Sequence, residues 1–540
     1  MINNTEIIAF FSAENFFRLK SLEKQRCKFK ALKADFKREF NIDANNSIFE
    51  ILIQHQNDCK KAKHERERSR LSKKSSLKIS AGAILSDEHI TQYPPGRYVL
   101  TCAQNNTDVN KLLFNILLNY CTVNNAKLLI GKVTYNKTGF LQPDLAHEQC
   151  WYDPDLTQFL VDGHIALGNN HHFISDANVI PTAKNPLSGF DGATPAGVHA
   201  IIPATKIALK VSAALKGVKT KIVTSTGSIT KRNYIMRKSG AIASIEHNFG
   251  AVFVDTETDT IRHLELMIDS NCIYDLQNCY TVDDCTTNNS VSCVQLGDVH
   301  AEKMEAHNLE NAIHLIKCLN PDNIILHDVM DFSSRNHHNI KDPAFLHEQH
   351  IKNNTVAKDI KQVAKIIDKI CNESDDAKIH IIESNHDLAI NTWLKNSDFK
   401  QDPVNATTYL QCMLALYKHQ ERHKNSKFNM LQYVYKHIGN GKNTESVIFH
   451  DTDESVKISH IEHGCHGHNG INCSRGSPTA FRTLGIPMNT GHTHAPSICG
   501  KVYTSGVTAS LDMDYNKGAS SWRIAHIVTY SNGQRQLIFM

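Results

Sequence analysis

Val291-Ser292-Cys293-Val294-Gln295-Leu296-Gly297-Asp298-Val299-His300 is a run rich in β-branched residues that ends in a glycine, an aspartate and a histidine. An extended chain places Asp298 and His300 on the same side, so a carboxylate and an imidazole converge on one point. The same arrangement recurs downstream. Asn323 to Leu326 leads into His327-Asp328-Val329-Met330-Asp331, and Lys378 to Ile382 into Glu383-Ser384-Asn385-His386-Asp387. Val456 to Ile461 leads into His463-Gly464-Cys465-His466-Gly467-His468, and the last cluster is Gly491-His492-Thr493-His494. If these runs are strands of one sheet, the clusters meet along a single edge and form a metal site. Of 31 histidines, 21 lie at or after His300, which raises the chance rate of such clusters. Composition alone supplies neither Asn385 directly before His386 nor the position of each cluster behind a strand.

Upstream the chain changes character. Phe16, Leu19, Leu22, Phe29, Leu32, Phe36 and Phe40 recur at the spacing of an amphipathic helix. Asn41 to Asn46 break the stripe, and Ser47 with Glu50 reads as the capping box of a second helix, which ends in KKAKHERERSRLSKKSSLK. Between Arg18 and Lys78 there are 18 Lys and Arg against 8 Asp and Glu, so the modest net charge of +4 conceals a basic arm on an acidic remainder. The arm could track phosphates. It could equally be a solvated helix face on which Glu65 and Glu67 pair with neighbouring arginines.

From Ser80 onward Tyr98 to Cys102 reads as a strand, Asn110 to Tyr120 as a helix and Lys127 to Lys132 as a strand, which together make an α/β unit. Lys221 to Val223 and Ala251 to Asp255 are also strand-like. The Thr224-Ser225-Thr226-Gly227-Ser228 loop lacks the spacing of a P-loop and reads as a plain turn. His171, His172 and His247 read as ordinary polar residues. The expected organisation is a basic helical arm over 1–79, an α/β domain with linker over 80–290 and the site-bearing domain over 291–540. Within the last, helical insertions over 345–372 and 405–438 suit packing or subunit contact, and Trp522 to Phe539 a closing hairpin.

A 540-residue chain that is 41% hydrophobic and 21% charged is a globular protein with more than one core. No apolar run approaches the roughly 18 residues a membrane span needs. No basic residue precedes the apolar patch Ile7 to Phe11, so a cytoplasmic protein with no membrane association is expected. Fifteen cysteines without a CxxC pair read as reduced thiols. Cys465 alone stands near enough to the clusters to be a soft ligand, in a set whose carboxylates favour harder ions.

The order DxH, GDxxD, GNH(D/E), a lone His after a strand, then GHxH resembles that of the calcineurin-like metallophosphoesterases over about residues 291 to 500. HGCHGHNGINCSRGSP, GHTHAP and YNKGASSW are similar to phage-encoded members. With the basic arm, the whole chain resembles those by which T5-like phages degrade host DNA early in infection. His327 and Ser384 stand where the family has glycine. The resemblance implies an α/β (α+β) protein whose C-terminal metallophosphoesterase β-sandwich is flanked by helices.

It also implies two divalent ions, Mn²⁺ foremost, with Mg²⁺, Fe²⁺ or Zn²⁺ as alternatives. Asp298, His300, Asp328 and His494 would hold one ion, and Asp328, Asn385, His463 and His492 the other. A bridging carboxylate lowers the repulsion between dications about 3.5 to 4 Å apart. His463 follows its strand directly and is the expected ligand of its cluster, with His466 and His468 further into the loop as alternatives.

His386 would face the scissile phosphate and Asp331 orient it, unless Asp331 is only a capping residue. Arg335, His337 and His338 are candidate phosphate contacts or polar loop filler. The activity implied is a DNase acting in the host cytoplasm, with DNA as partner, self-association expected and another phage early protein a candidate partner. The competing readings are a phosphomonoesterase using the same ions and a DNA-binding scaffold with a vestigial site.

Overall fold

The computed structural model describes residues 4–13, 22–43, 45–55, 90–137, 150–336, 339–340, 342–423, 426–452, 454–513 and 516–540. The chain divides into two compact units, Met1–Glu88 and His89–Met540.

In the first unit, helices Asn4–Ala13 and Leu22–Phe40 and a third over 46–55 bury Ile7, Phe11, Phe29, Leu32, Phe36, Ile48 and Leu52 in one core. The spacing of Phe29, Leu32 and Phe36 puts them on one face, with Arg26 and Lys33 exposed at its border and Lys30 exposed further round. The third helix is capped by Asn45, whose Oδ1 accepts from the Ile48 N–H at 3.1 Å, so Ser47 lies inside the helix and not at its start. Phe16, Leu19 and the basic run over 60–78 lie outside the described residues.

The second unit is mixed α/β. Arg97–Gln104 and Ala126–Val133 pair in parallel through the crossover helix Lys111–Asn124, as their sequence pattern requires. Asn110 caps this helix, and Asn125 closes it in the left-handed region. Both strands belong to a five-stranded sheet with Gly250–Asp255, Thr260–Glu265 and Leu160–Val161.

The single sheet expected behind the clusters is two: the Asp298, Asp328 and Asn385 clusters follow strands of a six-stranded sheet ordered Val447–His450, Lys378–Ile382, Asn323–His327, Cys293–Gln295, Ala525–Thr529, Arg535–Phe539, whereas the His463 and His492 clusters follow Ile461–Glu462 and Met488–Thr490 of another sheet. The first four strands of the six-stranded sheet are parallel and the last two form the antiparallel hairpin. Alternation divides the residues between the faces. Val294, Ile324, Leu326, Ile379 and Ile381 pack against helices Ala306–Leu319 and Val356–Asn372. Cys293, Ile325 and Ile382 face the opposite way, toward Val456.

On that second side lies an eleven-stranded sheet that takes strands from both 90–225 and 457–504. Ile527 and Leu537 of the six-stranded sheet share a core with Ile498 and Tyr503 of the eleven-stranded one. Parallel strands deliver their carboxyl ends to one edge, which is where open α/β sheets place their sites.

One expected strand is replaced. Val456 to Ile461 is not continuous: Lys457–Ile458 and Ile461–Glu462 pair with each other across Ser459 and His460, both at positive φ. The fourth parallel strand is Val447–His450.

Candidate metal centre

Each cluster leaves its strand through a sharp turn. Asp298 follows Gly297, where a Cβ would lie 2.6 Å from the Val507 carbonyl carbon, so only glycine lets the 506–508 segment pass. That segment fixes the aspartate backbone: the Asp298 N–H donates to Gly506 O at 3.0 Å, and the Thr508 N–H to Asp298 O at 2.8 Å. Gly491 is equally constrained, since a Cβ there would stand 2.2 Å from Asp298 Oδ1. His300, Asp328, His492 and His494 all have positive φ, between 39° and 69°. For residues other than glycine this costs roughly 1 to 3 kcal/mol each, and strain of this kind concentrates at functional sites.

These turns bring Asp298, His300, Asp328 and His494 together, all four buried, with one ligand atom from each lying within 4.8 Å of the others. His494 Nε2 stands 3.0 Å from His300 Nε2 and 3.1 Å from Asp298 Oδ2, and His300 Nε2 stands 3.6 Å from Asp328 Oδ2. His492 joins through its backbone, which donates to Asp298 Oδ2 at 2.7 Å, and its ring lies 5.3 Å from that of His466.

Asp298 Oδ1, both Asp328 oxygens, Asn385 Oδ1 and His494 Nδ1 are buried without a well-formed hydrogen bond. Unsatisfied buried carboxylates are costly, and a cation is the partner this donor set fits. Burial works against ionisation, but His466 and His494 hold Asp298, and His466 and His386 hold Asp328, below the usual carboxylate range. Burial also opposes a charge on His466, yet Asp328 and Asp298 push its imidazole up to about 9. His492, half-buried beside His466, is pushed down to about 4 by partial desolvation and by the His466 charge.

The structure sets His466, not His463, against the central carboxylate: His466 Nε2 is 3.3 Å from Asp328 Oδ2. His463 Nδ1 faces Gln295 Oε1 at 3.2 Å instead. The turn at Ser459 and His460 is the physical reason, because it takes His463 off the expected strand end.

Arg335 is not presented to a ligand. It is buried and bidentate with Asp402, at 2.7 and 2.9 Å. Cys465 packs against Phe481, Met488 and Val502. His337 and His338 lie outside the described residues.

His386 stands beside the group. Its Nδ1 lies 3.4 Å from Asp331 Oδ1, and the same oxygen is 3.3 Å from His300 Nδ1. Burial opposes ionisation of Asp331, but the hydrogen bond to His300 and the charges of His300 and His386 hold its carboxyl down at about 2. Ser384 turns its departure from glycine into a clamp. Its Oγ donates to Asp387 Oδ2 at 2.7 Å and accepts from the Asp387 N–H at 3.1 Å, which fixes the turn bearing Asn385 and His386. Asp387 Oδ1 in turn accepts from the Met330 N–H at 3.1 Å. His327, the other departure, is a buried imidazole 5.3 Å from the His466 ring, with burial pushing it down to about 3.

A second His/Asp group, His171, His199 and Asp259, meets the same distance criterion. Its chemistry differs. Lys219 pairs with Asp259, Arg523 stands 3.8 Å from it, and His199 Nδ1 accepts the Ile222 N–H at 2.8 Å, which leaves the proton on Nε2 facing Asp259. A ring so fixed is a donor and not a ligand. In the Thr224–Ser228 loop, every hydroxyl is spent on internal carbonyls.

Fold and site define a mixed α/β protein with a buried His/Asp centre able to hold a metal ion. Protein A1 of Escherichia phage T5 is 41% identical over 458 residues, which cover 82% of this chain and 81% of that protein, and the chain belongs to its family. No family model and no solved structure matches. Among the described residues no helix is long and apolar enough to cross a membrane.

Proposed function

We propose that the protein is a metal-dependent nuclease of calcineurin-like metallophosphoesterase type, phage-encoded and acting on DNA in the host cytoplasm early in infection. The observation that carries this reading is the buried Asp298, His300, Asp328 and His494 group, with His386 and Asp331 set directly beside it. Asp298, His300, Asp328 and His494 would hold one divalent ion, and Asp328, Asn385, His466 and His492 a second, Mn²⁺ being the ion that mixed carboxylate, amide and imidazole donors suit. When bound, such ions supply Lewis acidity and neutralise charge on a phosphate.

The side chains of the protein do the rest. His386, outside the ligand set and partly exposed, is placed to give a proton to a departing sugar oxygen. Asp331, whose Oδ1 stands 3.4 Å from Nδ1, would orient that ring. The helix Leu22–Phe40 presents Arg26, Lys30 and Lys33 to solvent, a surface that gathers a polyanion with strong salt dependence. The exposed side of Ala406–Arg422, with Leu410, Leu414 and Tyr417, is where self-association would be sought.

The test is cleavage of plasmid DNA against a small aryl monophosphate in Mn²⁺. DNA cleavage is expected, and activity on the monoester alone would replace the nuclease with a phosphomonoesterase.

A further inference from the structure

Glu302 lies in the short turn Ala301–Lys303 just after His300, and neither the ligand set nor the acid/base pair uses it. Its two oxygens are spent on one task. Oε2 accepts the Asp331 N–H and Oε1 the Phe332 N–H, both at 2.8 Å. Phe332 sits at a φ of 54°, a conformation that an aromatic residue keeps only when its surroundings impose it. Two residues further on, Asp359 Oδ2, from the helix Val356–Asn372, accepts the Ser334 N–H at 2.9 Å. Three of the four N–H groups of the 331–334 turn are therefore held by two carboxylates from other elements. The side chain that this turn presents is Asp331, whose Oδ1 stands 3.3 Å from His300 Nδ1 and 3.4 Å from His386 Nδ1.

We propose that Glu302 is a positioning residue: with Asp359 behind it, it clamps the 331–334 turn so that one Asp331 oxygen orients the ligand His300 and the proton donor His386 together. The metal-bearing and proton-bearing sides of the site are thus set by a single carboxylate, and that carboxylate by Glu302. A surface acid would leave both histidines undisturbed when removed, whereas a clamp transmits its loss to both. Assigning His300 as a ligand and His386 as a proton donor rests on the nuclease reading above. The chain of contacts from Glu302 through the 331–334 turn to Asp331 and the two rings does not.

The test uses the full-length protein with Glu302→Gln, which keeps the volume but replaces one acceptor with a donor, and Glu302→Ala. Two readouts are taken. Calorimetric titration with Mn²⁺ reads His300, and removal of an outer partner of a ligating histidine is expected to weaken binding about 10- to 100-fold. Steady-state kinetics on phosphodiesters with a good leaving group (p-nitrophenolate) and a poor one (an alkoxide) reads His386. The kcat for the poor leaving group is expected to fall about tenfold further than for the good one, with KM little changed, because only the poor one needs the proton.

A merely structural glutamate would lower both substrates equally. Equal losses together with unchanged Mn²⁺ affinity in Glu302→Gln would overturn the proposal. If the wild type cleaves no phosphoester, the nuclease reading fails while the Mn²⁺ titration still decides the clamp. Should Glu302→Ala not fold, Glu302→Gln and Asp359→Asn carry the same two measurements.

Discussion

Among the described residues, histidine and aspartate side chains come together at the same close spacing around Asp298 and around Asp259, in opposite surroundings. Around Asp298, His300, Asp328 and His494 the carboxylates outnumber fixed cations, several oxygens accept no well-formed hydrogen bond, and four of the site residues hold positive φ. Around His171, His199 and Asp259 one carboxylate oxygen and both His171 nitrogens also accept or donate no well-formed hydrogen bond, but the single carboxylate is matched by Lys219 and Arg523, and a backbone N–H fixes the tautomer of His199. Residue type and distance are shared. The surrounding charge and the direction of each ring nitrogen decide which group attracts a cation and which is already neutralised.

The sharpest way to break this contrast is to remove the central carboxylate. Asp328→Asn takes a full charge from a position that bears on both proposed ions, and Mn²⁺-dependent cleavage should fall by about 10³-fold or more. A variant that still binds Mn²⁺ with wild-type affinity in calorimetry would remove the reason for treating the two groups differently. His386→Ala tests the edge of the site and not its centre. Cleavage should drop about 10²- to 10⁴-fold while Mn²⁺ and DNA binding persist. Loss of Mn²⁺ along with activity would make His386 a ligand.

The next contrast lies within one loop. His466→Ala should weaken Mn²⁺ binding about 10- to 100-fold, because its Nε2 faces Asp328, and His463→Ala should leave binding unchanged. The reverse result would restore His463 as the ligand.

His466 also carries a pH signature. Its imidazole is raised from an ordinary value near 6.5 to about 9 by Asp328 and Asp298 against the opposing effect of burial. In metal-free protein its contribution to stability is therefore complete below about pH 6.5 and is lost as pH rises through about 9. Metal binding needs the neutral ring, so Mn²⁺ affinity should strengthen across the same interval. Denaturant titrations of metal-free protein and Mn²⁺ titrations at pH 6, 7.5 and 9 check both signs.

The legible part of the site was the part written as strand followed by cluster. Asp298, His300 and Asp328 lie just past strands of the six-stranded sheet and His494 just past Met488–Thr490 of the eleven-stranded one, so each follows the run that announces it, while the positive-φ turns that aim the side chains have no period to read. His463 faces Gln295 and not Asp328, because two residues of left-handed backbone inside Val456 to Ile461 reverse the chain without a mark in composition. Arg335 departs in another way: its loop position is as expected, and Asp402, 67 residues away in sequence, claims its guanidinium. The sharing of one eleven-stranded sheet by strands from 90–225 and 457–504 has no local signature, since short strands carry almost no pairing information of their own.

The smallest effect is expected at the second His/Asp group, and there the sign matters more than the size. Asp259→Asn keeps the shape of the side chain but leaves Lys219 and Arg523 without their carboxylate, so stability at pH 7 should fall by about 1 to 2 kcal/mol. Mn²⁺ affinity and cleavage should not move. Burial disfavours the charge on Asp259, but hydrogen bonds from His199 and Lys219 hold its carboxyl below its ordinary value. Its stabilising effect is therefore present above the unfolded-state value near 4 and lost as pH falls through the depressed folded-state value. The gap between wild type and Asp259→Asn in denaturant titrations should be full at pH 7 and close below about pH 4. A gap that persisted undiminished in acid would mean that Asp259 acts through packing and not through charge. A fall in Mn²⁺ affinity would mean that the two groups are one kind of site after all.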